Sequence, residues 1–412
     1  MSLSQNIYKL FQALAGPGRV NSLGRRLRNF AAAPGDGLSR RAGGPVRTPP
    51  GKAILFIDIN TPRFDQDSGS LRAFSIMRLL AGSGLNVCFM LRDGDPCDSY
   101  CKALEVAGVK VLREGEAWEA MLEGSIGLAV VFRLLMADQW IENIRRKAPW
   151  VTVAYDTVDV HFVRDGRQAE VEKSAILALA ARLVKKRELG LAGMADLTIA
   201  TTAADAGHML REAPSLNIAV IPNVHKRVEV EHSVEGRDAV MFIGGFKHGP
   251  NADAVVFFLK DIYPLIAQEL GKVEFLVVGS SPTAEVLGLA SDTVTVTGYV
   301  QDIAPYYART RVFVSPLRYG AGMKGKVGEA MSFGVPVVTT AVGAEGMGLV
   351  HGETALIQDD PKAFATEVVR LFRDETLWRK LSVQGREYVE KNFGEGAVRE
   401  MLLKLVRPER KG

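Results

Sequence analysis

SPLRYGAGMKGKVGEAMSFGVPVVTTAVGAEG, residues 315–346, is the stretch from which the fold of this chain is read. It reads as strand end, glycine loop, helix, turn and strand. Arg311-Val-Phe-Val-Ser315 is a short apolar run rich in β-branched and aromatic residues, as a buried strand requires. Gly320-Ala321-Gly322 breaks that pattern and lets backbone approach a ligand closely. A helix is expected from about Met323 to Phe333, stopped by Gly334, and the next strand over Val335–Thr340, with Pro336 near its start. A glycine loop feeding a helix N-terminus offers free N–H groups and the positive end of a dipole, so an anion is favoured there. Lys324 and Lys326 add full charges at the same end, and Lys326 shares a helix face with Glu329 three residues on. If that face meets a ligand, a cation for phosphate lies beside a carboxylate for ribose hydroxyls. The plain alternative is two solvated lysines, one of them paired with Glu329.

The same alternation extends outward in both directions. Strands are expected at 53–59, 85–90, 109–112, 128–132, 151–155, 197–200 and 218–221, then at 239–243, 273–278, 294–297 and 312–315. Helices fill the gaps at 71–82, 99–107, 137–147 and 170–194, and later at 363–373, 375–392 and 395–406, while Asn251 is a candidate cap for the helix after Gly244-Gly245. Such alternation marks open parallel sheets, so the chain is α/β with two Rossmann-like doubly wound halves. The expected division is a basic leader at 1–50, a first domain at 51–225, a charged linker at 226–238, a second domain at 239–395 and a C-terminal helix and tail at 396–412. Tyr155-Asp156-Thr-Val-Asp159-Val-His161 follows a strand, so Asp156 and Asp159 are candidates for the cleft on the acceptor side; their alternative is helix capping and a local network.

Composition narrows the class. Of 412 residues, 47% are hydrophobic and 24% charged, and the net charge of +4 does not imply a nucleic-acid partner. Three cysteines, Cys88, Cys97 and Cys101, fit a reducing cytosol, and no metal-ligand spacing surrounds them. No run of 18 apolar residues and no signal-like start is visible, so a cytoplasmic protein is expected. The leader holds eight Lys and Arg residues against Asp36 alone. It is either a disordered basic segment, a helix lying on anionic lipid at the membrane surface, or a docked helix.

From Val240 to about Phe393 the chain resembles the donor-binding domain of retaining GT-B glycosyltransferases, the large sucrose-synthase-like and mannosyltransferase-like family. The segments that carry the resemblance are FIGGFKHGPNADAVVFF at 242–258, FLVVGSSP at 275–282, VTGYVQD at 296–302 and SPLRYGAGMKGKVGEAMSFGVPVVTT at 315–340. Glu329 matches the second of two glutamates common in the family, whereas Ala321 stands at the first, as in members resembling surface-polysaccharide rhamnosyl- and mannosyltransferases. The resemblance implies transfer of a hexose from a nucleoside-diphosphate sugar, the co-substrate, to a hydroxyl of a glycan or lipid-linked acceptor, with no further cofactor. It implies Gly320–Met323, Lys324 and Lys326 around the diphosphate and Glu329 on the ribose. It places Gly245 and Lys247 near phosphate, Tyr299 and Val300 at the base, and Gly69 under the diphosphate or near the acceptor. His161 falls near the reacting sugar, and Glu345 is a further polar contact to the donor. A metal is not expected. Asp65-Gln-Asp67 has manganese-like spacing but lies in a loop where polar turn residues are ordinary. The competing functions are a nucleotide-sugar epimerase of the same fold and an inactive nucleotide-sugar-binding partner.

Overall fold

The structure, a computed structural model, describes residues 52–229 and 233–406. The leader at 1–50, with its proposed membrane contact, lies outside the described residues. Seven strands form the first sheet: β1 (Ala53–Ile57), β2 (Val87–Leu91), β3 (Lys110–Arg113), β4 (Ile126–Phe132), β5 (Thr152–Asp156), β6 (Leu197–Ala200) and β7 (Ile218–Val220). Six form the second: β8 (Ala239–Ile243), β9 (Phe275–Val278), β10 (Val294–Gly298), β11 (Thr310–Ser315), β12 (Val337–Thr339) and β13 (Leu356–Ile357). Their spatial orders are β3-β2-β1-β4-β5-β6-β7 and β10-β9-β8-β11-β12-β13, and neighbours run parallel.

Helices cover both faces of each sheet, which is why β2 and β4 are buried at every residue rather than alternating with polar ones. Leu55 and Ile57 of β1 enter one core layer, while Ile54 and Phe56 enter the opposite one. Val240 and Phe242 of β8 are likewise separated from Ala239 and Met241. Strand order reverses between β1 and β4 in the first sheet and between β8 and β11 in the second. A crevice therefore opens at the C-terminal ends of the strands at each reversal, and the two crevices face each other.

The chain crosses between the domains at two adjacent places. The His225 N–H donates to the Phe393 carbonyl at 2.9 Å, and His225 pairs with Gly394. Beyond Gly394 the helix Glu395–Val406 lies on the first-domain helix Ser68–Ala81, and Val398, Leu402 and Val406 complete the core layer containing Ile54 and Phe56.

Several elements differ from the sequence reading. The helix expected at 170–194 is two helices, His161–Val171 and Ala175–Met194. Lys173 takes a left-handed conformation (φ +48°), and Ser174 caps the second helix by accepting the Leu177 N–H. Asn251 is not a helix cap: it lies inside the helix Gly249–Phe257, whose N-cap position is His248 and whose first turn holds Pro250. The helix Glu114–Leu122 was not foreseen. The cysteine reading also needs correction, because Cys97 and Cys101 form a disulfide, leaving Cys88 as a buried thiol. Among the described residues no helix is long and apolar enough to cross a membrane.

Candidate active site

The facing crevices enclose a cavity of about 840 Å³. On the second-domain side β8 runs out at Gly244-Gly245. Gly279 comes so close behind this turn that an added Cβ would lie 2.0 Å from the Gly244 carbonyl. On the first-domain side stand the 60–67 loop after β1 with the start of the helix that follows it, Arg133 after β4, and Val158, Asp159, His161 and Arg164 after β5. Arg133 and Val158 both have positive φ, +67° and +60°, at the ends of neighbouring strands. Backbone strain of this kind collects at functional sites.

Lys326 and Glu329 line the cavity from the helix Gly325–Ser332, with Lys324 as its N-cap residue. Among the described residues no ion pair joins Glu329 to either lysine, so the plain alternative of a paired surface glutamate does not hold. Lys326 donates to the Asn251 side-chain oxygen, and its ammonium lies 4.5 Å from the centre of the Phe242 ring. Burial, with repulsion from Lys324, lowers its pKa to about 7. Asn251 donates in turn to the Gly245 carbonyl at 2.8 Å, so it ties the lysine to the loop after β8. Burial also lowers Lys324, whose ammonium donates to the Gly322 carbonyl at 2.7 Å. Glu329 accepts the Tyr307 hydroxyl at 3.0 Å, while burial raises its carboxyl to about 6 against that hydrogen bond.

Across the cavity, His161 begins its helix. The carboxylate of Glu188 accepts the backbone N–H groups of His161 and Phe162 and lies 3.2 Å from the His161 Nδ1. With hydrogen on Nδ1, the Nε2 of His161 is left as an acceptor. Burial disfavours the Asp159 carboxylate, but the Arg164 guanidinium beside it outweighs that cost and holds its pKa well below the usual range. The His248 imidazole is lowered to about 4, by enclosure in the cleft and then by Arg164. Gly69, Gly245, Lys247, Tyr299 and Val300 all line the cavity. Tyr299 reaches across it, its hydroxyl donating to Asp65 at 2.7 Å. Space at Gly69 is tight, since a Cβ there would meet Val158 at 3.0 Å and Arg133 at 3.1 Å, and both side chains would have to give way.

Four expected site residues are placed otherwise. Asp156 does not line the cavity; it is buried in a two-oxygen pair with Arg72, both contacts 2.9 Å. Arg72 is itself fixed by the Ile221 and Pro222 carbonyls. Glu345 turns away to Arg167, its Oε1 accepting at 2.7 Å, and approaches His208. Gly322 and Met323 reach the cavity, but their N–H groups are already taken by Asp205 and the Thr201 hydroxyl, each at 3.1 Å. That leaves Gly320 and Ala321 as loop N–H candidates, and Ala321 packs into the first domain's core. The sequence reading missed Arg133, Arg164, Glu188, Asn251 and Tyr307. Only the position of Arg133 directly after β4, and of Arg164 in the polar run that follows β5, pointed to them.

Asp65 and Asp67 are both occupied. Asp65 accepts the Tyr100 and Tyr299 hydroxyls at 2.8 and 2.7 Å, and Asp67 caps the helix Ser68–Ala81. Cys97, Cys101 and Glu105 form a cluster of possible metal ligands outside the cavity, but two of the three are joined in the disulfide.

Two facing parallel-sheet domains around this cleft define the GT-B architecture. Sucrose-phosphate synthase from Thermosynechococcus elongatus shares it at a TM-score of 0.65 and 19% identity, over 86% of this chain and 98% of that one. HepE from Anabaena, in complex with UDP and glucose, gives a TM-score of 0.65 and 15% identity over the same shares. Residues 237–374, most of the second domain, match the family described as glycosyl transferases group 1. A protein in the cps region of Klebsiella pneumoniae is 23% identical over 164 residues, covering 37% of this chain and 42% of its own. The capsular polysaccharide biosynthesis glycosyltransferase CapM of Staphylococcus aureus is 29% identical over 170 residues, 39% of this chain and 44% of its own. The chain thus spans less than half the length of these curated relatives.

Proposed function

We propose that the protein is a glycosyltransferase of surface-polysaccharide synthesis. It moves a hexose from a nucleoside-diphosphate sugar to a hydroxyl of a glycan or lipid-linked acceptor, with retention and without a divalent metal. The observation that carries this reading is the placement of a buried, weakly basic Lys326 beside Glu329, a buried carboxylate held by the Tyr307 hydroxyl but by no cation among the described residues, on one face of a helix at the cleft. Both are costly to bury in an empty protein, and a ligand carrying phosphate and vicinal hydroxyls would relieve both. UDP is the first nucleotide to try, because HepE and TarM of Staphylococcus aureus have been seen with it.

In this reading Glu329 accepts ribose hydroxyls, Tyr299 and Val300 border the base, and Lys324, Lys326 and Lys247 face the diphosphate. The bond between sugar C1 and the diphosphate oxygen breaks, its electron pair leaves with the diphosphate, and negative charge grows there. Preplaced ammonium groups stabilise that charge in a water-poor cleft. The acceptor oxygen bonds to C1 and its proton passes to the departing diphosphate. His161, oriented by Glu188, and Asp159 face the sugar and acceptor end. Purified protein is tested by thermal shift against UDP-, GDP-, ADP- and dTDP-sugars, since a ligand of the folded state raises its stability. Turnover is then followed with the best binder. Conversion of free nucleotide sugar to an epimer, or binding without any transfer or slow hydrolysis, favours the epimerase or the inactive partner instead.

A further inference from the structure

The glycine loop Gly320–Met323 belongs to the second domain, yet each end of it is held by the first. After β6 the chain turns through Thr201 and Thr202 into the helix Ala203–Glu212. Within this turn the Asp205 Oδ2 accepts the hydroxyls of Thr201 at 3.1 Å and Thr202 at 2.7 Å. Its other oxygen accepts the Gly322 N–H, and the Thr201 hydroxyl oxygen accepts the Met323 N–H, each at 3.1 Å. Asp205, Thr201 and Thr202 are each only 2% exposed. Arg167 donates to the Gly320 carbonyl at 2.8 Å while also gripping Glu345. At Gly346 a Cβ would come within 2.4 Å of Thr202. The β6 turn is thus seated between two loops of the opposite domain. Neither Asp205 nor Thr201 lines the cavity, so neither touches a ligand in it.

We propose that Asp205 and Thr201 are positioning residues that set the backbone of the anion-binding loop from the opposite domain, so that the diphosphate site takes its working shape only when the domains are closed. This rests on the donor reading above. Gly320 and Gly322 have φ values of +151° and +72°, and glycines give a loop many other conformations unless something outside it selects one. Two buried hydrogen bonds to consecutive N–H groups do that here. The selection extends to Lys324, whose ammonium rests on the Gly322 carbonyl. At the other end of the cavity Glu329 is held by the Tyr307 hydroxyl of its own domain rather than by the first domain.

The test measures affinity for UDP, GDP, ADP and dTDP, and for the nucleoside matching the tightest of them, in the wild type and in D205A, D205N and T201V. Loss of the carboxylate in D205A is expected to weaken diphosphate binding about 10- to 100-fold, the range for a buried charge-assisted hydrogen bond, and to leave nucleoside binding unchanged. T201V should weaken it less, in the same selective manner. D205N, whose amide oxygen still accepts the Gly322 N–H, should recover most of the loss. Wild-type diphosphate affinity in folded T201V and D205A overturns the proposal. Equal weakening of nucleoside and diphosphate also overturns it, since that is the signature of a merely structural role. If D205A does not fold, T201V against D205N decides on the same criteria. A wild type that binds none of the four diphosphates refutes the donor reading itself, and this inference falls with it.

Discussion

Diphosphate binding should take up a proton, and the group that gains it is Lys326. Its ammonium is buried beside Phe242 and repelled by Lys324, which brings its pKa to about 7 in the empty cleft. At pH 8 roughly nine-tenths of this side chain is therefore neutral. A diphosphate places two or more negative charges against it and restores the charged form, as any opposite charge within hydrogen-bonding reach does. By linkage, affinity should be highest near pH 7 and fall as the pH rises through and beyond that value, by about fiftyfold between pH 7 and pH 9. Over that range Glu329, at about 6, is already mostly ionised, and His248, at about 4, is neutral. Lys324 is lowered as well, so the variant K326M separates the two lysines. Calorimetric titration with UDP at pH 8, in two buffers of different ionisation enthalpy, gives the proton count directly. The expected values are close to one proton for the wild type and a much smaller fraction for K326M. Tight binding with no proton uptake and a flat affinity from pH 7 to 9 would refute the reasoning.

The same burial makes K326M more stable than the wild type without ligand. The folded pKa lies below the unfolded value, so the cost of the charge is fully present below pH 7 and disappears as the pH rises toward about 10. A gain of about 1–2 kcal/mol at pH 6, shrinking toward pH 10, is expected in denaturant titrations; a loss at pH 6 would count against a buried ammonium. E329Q should weaken nucleoside diphosphate binding by about 1–3 kcal/mol while the fold persists. Unchanged affinity in a folded E329Q protein would remove Glu329 from the site. Turnover should survive EDTA, because the lysines supply the positive charge; activity lost in EDTA and restored by manganese or magnesium would contradict the metal-free reading.

The glycine loop and its helix were legible because their signals are local. Gly320, Lys324, Lys326 and Glu329 lie within one short segment and need only helix geometry to be grouped. Their partners were not legible, because nothing in a linear pattern brings Asn251 to Lys326, 75 residues away, or Asp205 to Gly322, 117 residues away. Glu345 was misread for a related reason: a strand-end carboxylate looks the same whether it faces a cleft or Arg167 in the other domain. Asp156 sits one residue past an apolar run, where cleft and core differ by a single side-chain direction, and Arg72 decided for the core. The alternation of strands and helices made both sheets visible. Their facing arrangement followed only from the resemblance.

The paired crossings at His225 and Gly394 give the chain the architecture of an insertion. Residues 226–393 form a contiguous passage spliced into a domain whose final helix is supplied from beyond it. The consequence is an asymmetry in what can be cut away. The inserted unit could be excised as one piece. A truncation after His225, however, would strip Val398, Leu402 and Val406 from the layer around Ile54 and Phe56 and leave that apolar face open to water. A free-standing first domain would need residue 225 rejoined to residue 394 through a short bridge.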